Sequence, residues 1–265
     1  MESKRYFIQL SYMGASFHGW QIQPNGVTVQ EVLEKALSLI LREEIRLTGA
    51  GRTDTGVHAS FFVAHFDSSA VELYGTAQLV FKLNRFLKQD LLIHSVYQVP
   101  DQAHARFDAI SRTYQYFVSR NKQPYFNGLV ALHSGPLDLE RMNLAADILK
   151  EYDDFKCFSR SHSGAKTTIC HIDYARWEEK MGINVFTIRA DRFLRNMVRA
   201  VVGTLFEIGG GKLSLDEFKE VIESRDRSEA GNSVPAHGLF LTDIRYPKEL
   251  ESGLIRREVG FNLFG

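Results

Sequence analysis

The order of hydrophobic and polar positions divides the first half of the chain into strands and helices. Residues 4–12 alternate between polar and apolar side chains and include aromatic and β-branched ones, which is typical of a strand. A capping box at residues 28–31 precedes apolar positions at helical spacing, so a helix of about four turns is predicted there. The pattern further predicts a strand at 60–67, a helix at 76–87 and a strand at 91–99.

The second half of the chain repeats this succession of strands and helices. A strand is predicted at 113–119, an amphipathic helix at 139–149, and two neighbouring strands at 167–177 and 184–190. The remaining predicted elements are a helix at 192–208, a capped helix that begins at 214–217 and a final strand at 239–245.

These elements predict an α+β protein of two similar lobes, with mostly antiparallel sheets flanked by helices. Strand–helix–strand crossovers never follow one another in a long series, which argues against a doubly wound parallel sheet. We expect an N-terminal lobe at residues 1–108 and a C-terminal lobe at 109–265. The repeated succession of elements suggests an ancient duplication, with the active-site cleft between the two lobes.

The composition is that of a compact enzyme. The 265 residues are 44% hydrophobic and 24% charged, which is enough for one large core or two modest ones, and no segment has the composition of a disordered tail. The N-terminal residues lead into a strand without an apolar signal core, and no stretch has the uninterrupted apolar length of a membrane span. The sequence therefore predicts a cytoplasmic protein without a membrane partner.

The two cysteines give little support for a disulfide or a metal site. Cys157 and Cys170 do not form a CxxC pair, so reduced thiols are expected. Together with His162 and His171 they could be drawn as a zinc site, but their spacing matches no standard zinc finger. Metal binding is therefore a minor alternative.

Charge is balanced overall but segregated along the chain. There are 32 basic and 32 acidic residues. Residues 138–154 hold six acids against two bases, whereas residues 189–212 hold five bases against two acids. This distribution favours a polyanion-binding cleft with an acidic outer surface.

Three arginines of the predicted helix at 192–208 lie three and four residues apart. Arg192, Arg195 and Arg199 fall opposite a broad apolar face. Such a stripe is commonly just a solvated surface. The alternative interpretation is a basic wall of the cleft.

A candidate catalytic loop lies at residues 49–59, with the sequence GAGRTDTGVHA. Its glycines let a ligand approach the backbone, so that Asp54 can be presented to it. Arg52 can hold a phosphate or carboxylate through its planar guanidinium. An aspartate in a glycine-rich turn often only bonds its own backbone, and this second interpretation stays open on the loop alone.

The glycines of this loop match neither of two nucleotide-binding motifs, the P-loop and the dinucleotide-binding motif. Gly51 and Gly56 are five residues apart, as in a P-loop, but no lysine followed by serine or threonine comes after Gly56. Asp54 stands where the dinucleotide motif needs its third glycine, and the GGGK run at 209–212 lacks the hydroxyl residue that must follow it. Nucleotide hydrolysis is therefore disfavoured.

Five separated parts of the chain carry more specific motifs. They are 17–24 (FHGWQIQP) with 28–34 (TVQEVLE), 49–59, 103–109 (AHARFDA) with 112–116 (RTYQY), 193–203 (FLRNMVRAVVG), and 227–231 (RSEAG) with 235–239 (PAHGL). Together and in this order, they resemble the tRNA pseudouridine synthase A family. Thr55 and Cys170 depart from it, at positions where alanine and arginine are usual.

The resemblance implies the pseudouridine synthase fold and the isomerisation of a uridine in tRNA without metal or other cofactor. Asp54 matches the nucleophile of the family, Arg199 the partner that keeps this carboxylate ionised, and Tyr114 the tyrosine that stacks on the flipped uracil. These three residues are the expected catalytic set.

The resemblance also implies the substrate contacts and partners. Arg52, Arg106 and Arg112 would hold phosphates, and Leu239 would line the base pocket. The expected substrate-binding set is Arg52, Tyr114, Arg106, Arg112, Arg192, Arg195 and Leu239. The family acts on positions 38, 39 and 40 of the anticodon arm and works as a homodimer.

Other functions fit the sequence less well. A glycosidase-like hydrolase needs two carboxylates that bracket the bond, and only Asp54 stands in such a motif. An RNA-binding protein without catalysis should lack one of the catalytic residues. The open alternative is a pseudouridine synthase of the same fold that acts on other uridines or on another RNA.

Overall fold

The computed structural model describes residues 2–160 and 166–256, and shows the predicted α+β class. The chain forms two compact units. The first comprises Met1–Ile110 with Leu241–Gly265, and the second comprises Ser111–Phe240. The first unit thus includes the stretch from Leu241 onward, which was predicted to belong to the second lobe. Hydrogen bonds of the residues after the last strand account for this: the Tyr97 hydroxyl donates to the carbonyl of Leu250, and the Gln9 amide donates to the carbonyl of Ile255.

The described elements alternate between strands and helices. The strands are β1 (Lys4–Tyr12), β2 (Thr48–Gly49), β3 (His58–Ser68), β4 (Leu91–Gln98), β5 (Ser111–Ser119), β6 (Ala131–Leu132), β7 (Ile172–Lys180), β8 (Ile183–Ala190) and β9 (Leu239–Arg245). The helices are α1 (Val29–Leu41), α2 (Val71–Tyr74), α3 (Thr76–Phe86), α4 (Leu139–Ile148), α5 (Met197–Gly209) and α6 (Leu215–Ser224). None of these helices is long and apolar enough to cross a membrane.

The first unit has the strand order β4-β1-β3-β9, with β2 on β3. Strand β1 is antiparallel to both β3 and β4. Helix α1 begins as predicted, because the Thr28 hydroxyl accepts a hydrogen bond from the backbone N–H of Glu31 at 3.3 Å. Its apolar face buries Leu33 and Leu37 completely. Helix α3 contacts both α1 and β4.

The second unit has the strand order β5-β8-β7, with β6 on β5. Strand β8 is antiparallel to β5 and β7, whereas the short β6 is parallel to β5. Helix α4 contacts β7 and α5. The core includes Trp177 and Phe186, whose rings stack at 4.9 Å. The predicted capping box of α6 is present, since Ser214 and Glu217 each accept the other's backbone N–H.

Strand β7 begins at Ile172 instead of the predicted residue 167. The residues before it bond to a different segment. The N–H of Phe155 donates to the carbonyl of Thr168, and the N–H of Cys170 donates to the carbonyl of Asp153. These bonds hold the segment away from the β7–β8 ladder.

The helix predicted from residue 192 begins only at Met197, so the prediction that all three arginines lie on one helix face was wrong. Asn196 has φ +66°, a left-handed conformation that asparagine tolerates and a helix does not. Leu194 is buried although it lies outside the helix, so its apolar side chain extended the helical pattern. Arg192 and Arg195 therefore lie in the loop that precedes α5.

We predict that the buried His65 makes the first unit acid-sensitive. Burial, and to a smaller extent the nearby Arg5 cation, lower the pKa of His65 from 6.5 to about 4. Its Nδ1 accepts the backbone N–H of Ala105 at 3.0 Å, a bond that protonation would break. Between pH 6.5 and 4 the unfolded chain binds a proton that the folded chain excludes, so the free energy of unfolding should fall as pH falls through this window.

Urea unfolding at several pH values measures this effect. The His65→Gln variant should show a shallower loss of stability between pH 6.5 and 4 than the wild-type protein. Equal slopes for wild type and His65→Gln would contradict the prediction.

Candidate active site

The loop that carries Arg52 and Asp54 follows β2 and leads into β3. The N–H of Ala50 donates to the carbonyl of Val63, so the sheet pairing continues to the edge of the loop. The N–H of Val57 donates to the carbonyl of Asp54 at 3.1 Å, which closes a turn directly behind the aspartate. Arg52 is exposed and Asp54 is half-buried.

Two buried aromatic residues, Tyr12 and Trp20, are hydrogen-bonded to Thr53 of this loop. The Tyr12 hydroxyl and the Thr53 hydroxyl lie 2.9 Å apart, and the N–H of Trp20 donates to the carbonyl of Thr53. The Trp20 ring stacks on Phe62 with the ring centres 4.1 Å apart. Because Thr53 is buried and bonded on both sides, the neighbouring carboxylate of Asp54 is carried by a rigid backbone.

Gly14 fixes the far end of the same loop. A Cβ atom at this position would lie 2.0 Å from the carbonyl oxygen of Val57, so only glycine permits this approach. The N–H of Gly14 also donates to Nδ1 of the buried His58 at 3.0 Å. The Asp54 turn is thus held at both ends by contacts within the first unit.

Arg106 is the third predicted site residue of the first unit. It is exposed in the loop of residues 103–109. Both Arg106 and Phe107 donate their backbone N–H groups to Nδ1 of His104. The arginine side chain therefore extends from a well-ordered turn.

Tyr114 and Arg112 lie on β5 in the second unit. The Tyr114 ring meets Phe193 edge to face, at 5.2 Å and 89°. Arg112 donates from Nη1 to the carbonyl of Asp191 at 2.7 Å. The start of β5 and the loop before α5 are thereby brought together, and with them two of the predicted substrate-binding arginines, Arg112 and Arg192.

Arg199 lies in the first turn of α5 and is held by a neighbouring segment. Its Nε donates to the carbonyl of Val234 at 2.7 Å, while the N–H of Val234 donates to the carbonyl of Arg199. This reciprocal pair fixes the direction of the guanidinium. The motif at 193–203 predicted the arginine as a site residue but not the segment that orients it.

An open depression of about 460 Å³ lies beside Arg199. It is lined by Arg160, Asn196, Arg199, Arg227 and Ser233. The Ser233 hydroxyl accepts from Arg227 at 3.1 Å and from Asn196 at 2.6 Å. Two of its arginines, Arg160 and Arg227, were not among the predicted site residues. Arg227 belongs to the motif at 227–231, whereas Arg160 lies in no motif and is distinguished only by its charge.

The other predicted site residues of the second unit have different exposures. Arg195 is exposed, Arg192 is half-buried and Leu239 is buried at the start of β9. Arg189, which belongs to the basic run at 189–212, is ion-paired with Asp173 at 2.8 Å. This part of the run is therefore neutralised by a neighbour.

The zinc alternative receives no support from the described residues. Cys157 and Cys170 are fully buried, and burial raises the pKa of each thiol to about 12. His162 lies outside the described residues. Within 2–160 and 166–256, no three His, Cys, Asp or Glu side chains are grouped to hold a metal ion.

The second half of the chain matches a family model, and nearly the whole chain matches individual proteins. Residues 149–247 match the model described as tRNA pseudouridine synthase. A tRNA pseudouridine synthase A of Parabacteroides distasonis is 53% identical over 250 residues, which cover 93% of this chain and 98% of the relative. A second, from Bacteroides thetaiotaomicron, is 52% identical over 97% of this chain and 96% of its own length.

A more distant tRNA pseudouridine synthase A, from Francisella tularensis subsp. holarctica, is still 37% identical over 92% of this chain and 95% of its own. The chain belongs to the tRNA pseudouridine synthase A family. It is accordingly an isomerase that converts uridine in tRNA to pseudouridine.

Proposed function

We propose that the protein isomerises the uridines at positions 38, 39 and 40 of the anticodon arm of tRNA and that Asp54 is its nucleophile. The observation that carries this proposal is the Asp54 turn, in which a half-buried carboxylate stands beside the exposed Arg52 on a backbone bonded at both ends. Such a rigid carboxylate suits attack on a bound nucleotide.

The reaction conserves all atoms of the nucleotide apart from exchange of a proton. The C1′–N1 bond of the uridine breaks, the uracil turns and a C1′–C5 bond forms. The hydrogen on C5 leaves to solvent, and N1 gains a proton. A carboxylate assists by forming an adduct at C1′ or at uracil C6, or by stabilising the cationic sugar.

Arg199 and Tyr114 complete the proposed catalytic set. We assign Arg199 to the ion pair that keeps the Asp54 carboxylate charged and aimed, and the fixed direction of its guanidinium supports this role. Tyr114 would stack on the flipped uracil. Its edge-to-face contact with Phe193 would hold the ring in one orientation.

The proposed tRNA surface is basic. Arg52, Arg106 and Arg195 are exposed, and Arg112 and Arg192 are half-buried. These arginines would bind backbone phosphates, and Leu239 would line the base pocket. Extrusion of the target base costs a few kcal/mol, which such phosphate contacts offset. The proposal includes a homodimer in the cytoplasm, as in the family that the sequence resembles.

The direct test is tritium release from unmodified tRNA that carries [5-³H]uridine. The protein should release tritium without an added cofactor, and mapping of the product should find pseudouridine at positions 38, 39 and 40. Release with product at other positions would favour the alternative of a synthase for other uridines of tRNA. No release from any tRNA would contradict the proposed function.

Arg195→Ala should weaken tRNA binding more than it slows the chemical step. Loss of one phosphate contact reduces the slope of log Kd against log salt concentration by about one. We would measure Kd at several salt concentrations, and the single-turnover rate at saturating protein. Arg176→Ala, which removes another exposed arginine of the second unit, is the matched control. An unchanged Kd and salt slope in Arg195→Ala would remove this residue from the proposed surface.

A further inference from the structure

Phe107 is an exposed aromatic residue on a rigid loop. Phe107 is 75% exposed, although the nearby Ala103, Ala105 and Ala109 are buried. Exposure of a large apolar ring to water does not stabilise the isolated protein, and a flexible loop would allow the ring to be buried. The loop of residues 103–108 is instead held in place.

Side chains from three separate parts of the first unit bind the backbone of this loop. Arg5 donates to the carbonyl of Ala103, and the Tyr246 hydroxyl donates to the carbonyl of Ala105. The N–H of Ala105 donates to His65. These bonds come from β1, β3 and the segment after β9, so the orientation of the loop is set by the whole unit.

A second set of bonds closes the loop on itself. The N–H of His104 donates to the Asp108 carboxylate at 2.8 Å, and the N–H of Asp108 donates to the carbonyl of His104 at 3.0 Å. The His104 ring accepts the N–H groups of Arg106 and Phe107. The backbone that carries Phe107 is therefore fixed.

The Phe107 ring is also supported from one side. The His104 ring lies 4.2 Å from it at 30°, and the His65 ring lies 4.7 Å from His104. The tilted His104 ring thus contacts Phe107, while most of the residue stays accessible. The guanidinium carbon of Arg106 lies 5.8 Å from the Phe107 ring centre.

A supported aromatic ring beside a cation is the arrangement by which proteins bind single-stranded nucleic acid. Every nucleobase can stack on such a ring, and a neighbouring arginine binds the phosphate. Among residues 2–160 and 166–256, the other exposed phenylalanines are Phe81 and Phe86, and both lie on helix α3 instead of in such a turn. The chemistry therefore fits an RNA base better than a protein surface.

We propose that Phe107 is a stacking platform for a base of the tRNA other than the target uridine, with Arg106 on the adjacent phosphate. This inference rests on the proposed function in one respect, which is that tRNA is the substrate. Because phenylalanine has no hydrogen-bonding group, the platform accepts any base. It would contribute affinity without sequence preference.

The test compares tRNA binding by Phe107→Ala, Phe107→Leu and Phe107→Trp. Alanine and leucine should weaken binding roughly 5- to 150-fold, the range found for loss of one base stack, while tryptophan retains it. The salt slope should stay unchanged in all three, whereas Arg106→Ala should lower it by about one. Phe81→Ala, which removes an exposed phenylalanine elsewhere in the first unit, is the control and should bind normally.

Two further measurements separate the outcomes. Leucine keeps the apolar volume without the planar ring, so normal binding by Phe107→Leu would overturn the proposal that Phe107 stacks on a base. A changed sedimentation coefficient with unchanged affinity would also overturn it, and would assign Phe107 to a contact with a second copy of the chain. Failure of the proposed function would instead appear as absent tritium release by the wild-type protein.

Discussion

Asp54→Asn is expected to abolish pseudouridine formation while tRNA binding stays within a few-fold of wild type. Asparagine has nearly the same shape as aspartate, so the turn closed by Val57 should persist. The neutral amide cannot attack a sugar or a uracil, nor stabilise a cationic intermediate. We expect a loss of at least about 10³-fold in rate.

Tritium release from [5-³H]uridine tRNA, measured in a single turnover at saturating protein, reports this loss directly. The control is Asp101→Asn, which removes an exposed aspartate of the same unit and should react at the wild-type rate. A rate for Asp54→Asn within tenfold of wild type would refute the assigned nucleophile. A large drop in affinity would show that the carboxylate also contributes to the ground-state complex.

Gly203→Ala is expected to destabilise the second unit and to disturb Arg199. A Cβ atom at this position would lie 1.8 Å from the carbonyl oxygen of Asn232, which is backbone and cannot rotate away. The segment that follows supplies Val234, the acceptor for the Arg199 guanidinium. We expect a loss of about 3 kcal/mol in the free energy of unfolding, together with reduced turnover.

Urea unfolding and tritium release test the two parts of this prediction. Gly51→Ala is the control for stability, because a Cβ atom there meets nothing within 4 Å. Its free energy of unfolding should match that of wild type or rise slightly. Wild-type stability in Gly203→Ala would show that the segment at 231–234 can move away from α5 at little cost.

The close approach at Gly203 is part of a larger contact. The N–H of Gly231 donates to the Thr204 hydroxyl, which itself donates to the carbonyl of Ala200. Together with the Arg227–Ser233–Asn196 bonds, these contacts hold the segment against the start of α5. The orientation of Arg199 thus depends on residues that touch no substrate in the proposed mechanism.

Most elements followed from the sequence because their burial is regular. Strand β1 and strand β9 have the predicted bounds, and α1 and α6 begin at the predicted caps. In each case the periodicity or the capping residue is a local property of the chain. The loop of Asp54 was likewise recognised from its glycines and its neighbouring arginine.

The start of α5 could not be predicted in this way. Apolar periodicity indicates which side chains are buried, and Leu194 is buried without being helical. The left-handed Asn196 ends the pattern, yet an asparagine in a sequence does not reveal its φ angle. The prediction that Arg192 and Arg195 lie on this helix was consequently wrong.

The sequence by itself determined the α+β class, the order of its elements, the family resemblance and the residue types of the candidate site. The tertiary structure alone decided how Arg199 is oriented by Val234, how Arg160 and Arg227 come to line one depression, and that Phe107 stands exposed on a fixed loop. The physical reason is that periodicity and capping act over a few residues. Hydrogen bonds and close backbone contacts between distant segments depend instead on how the folded chain brings those segments together.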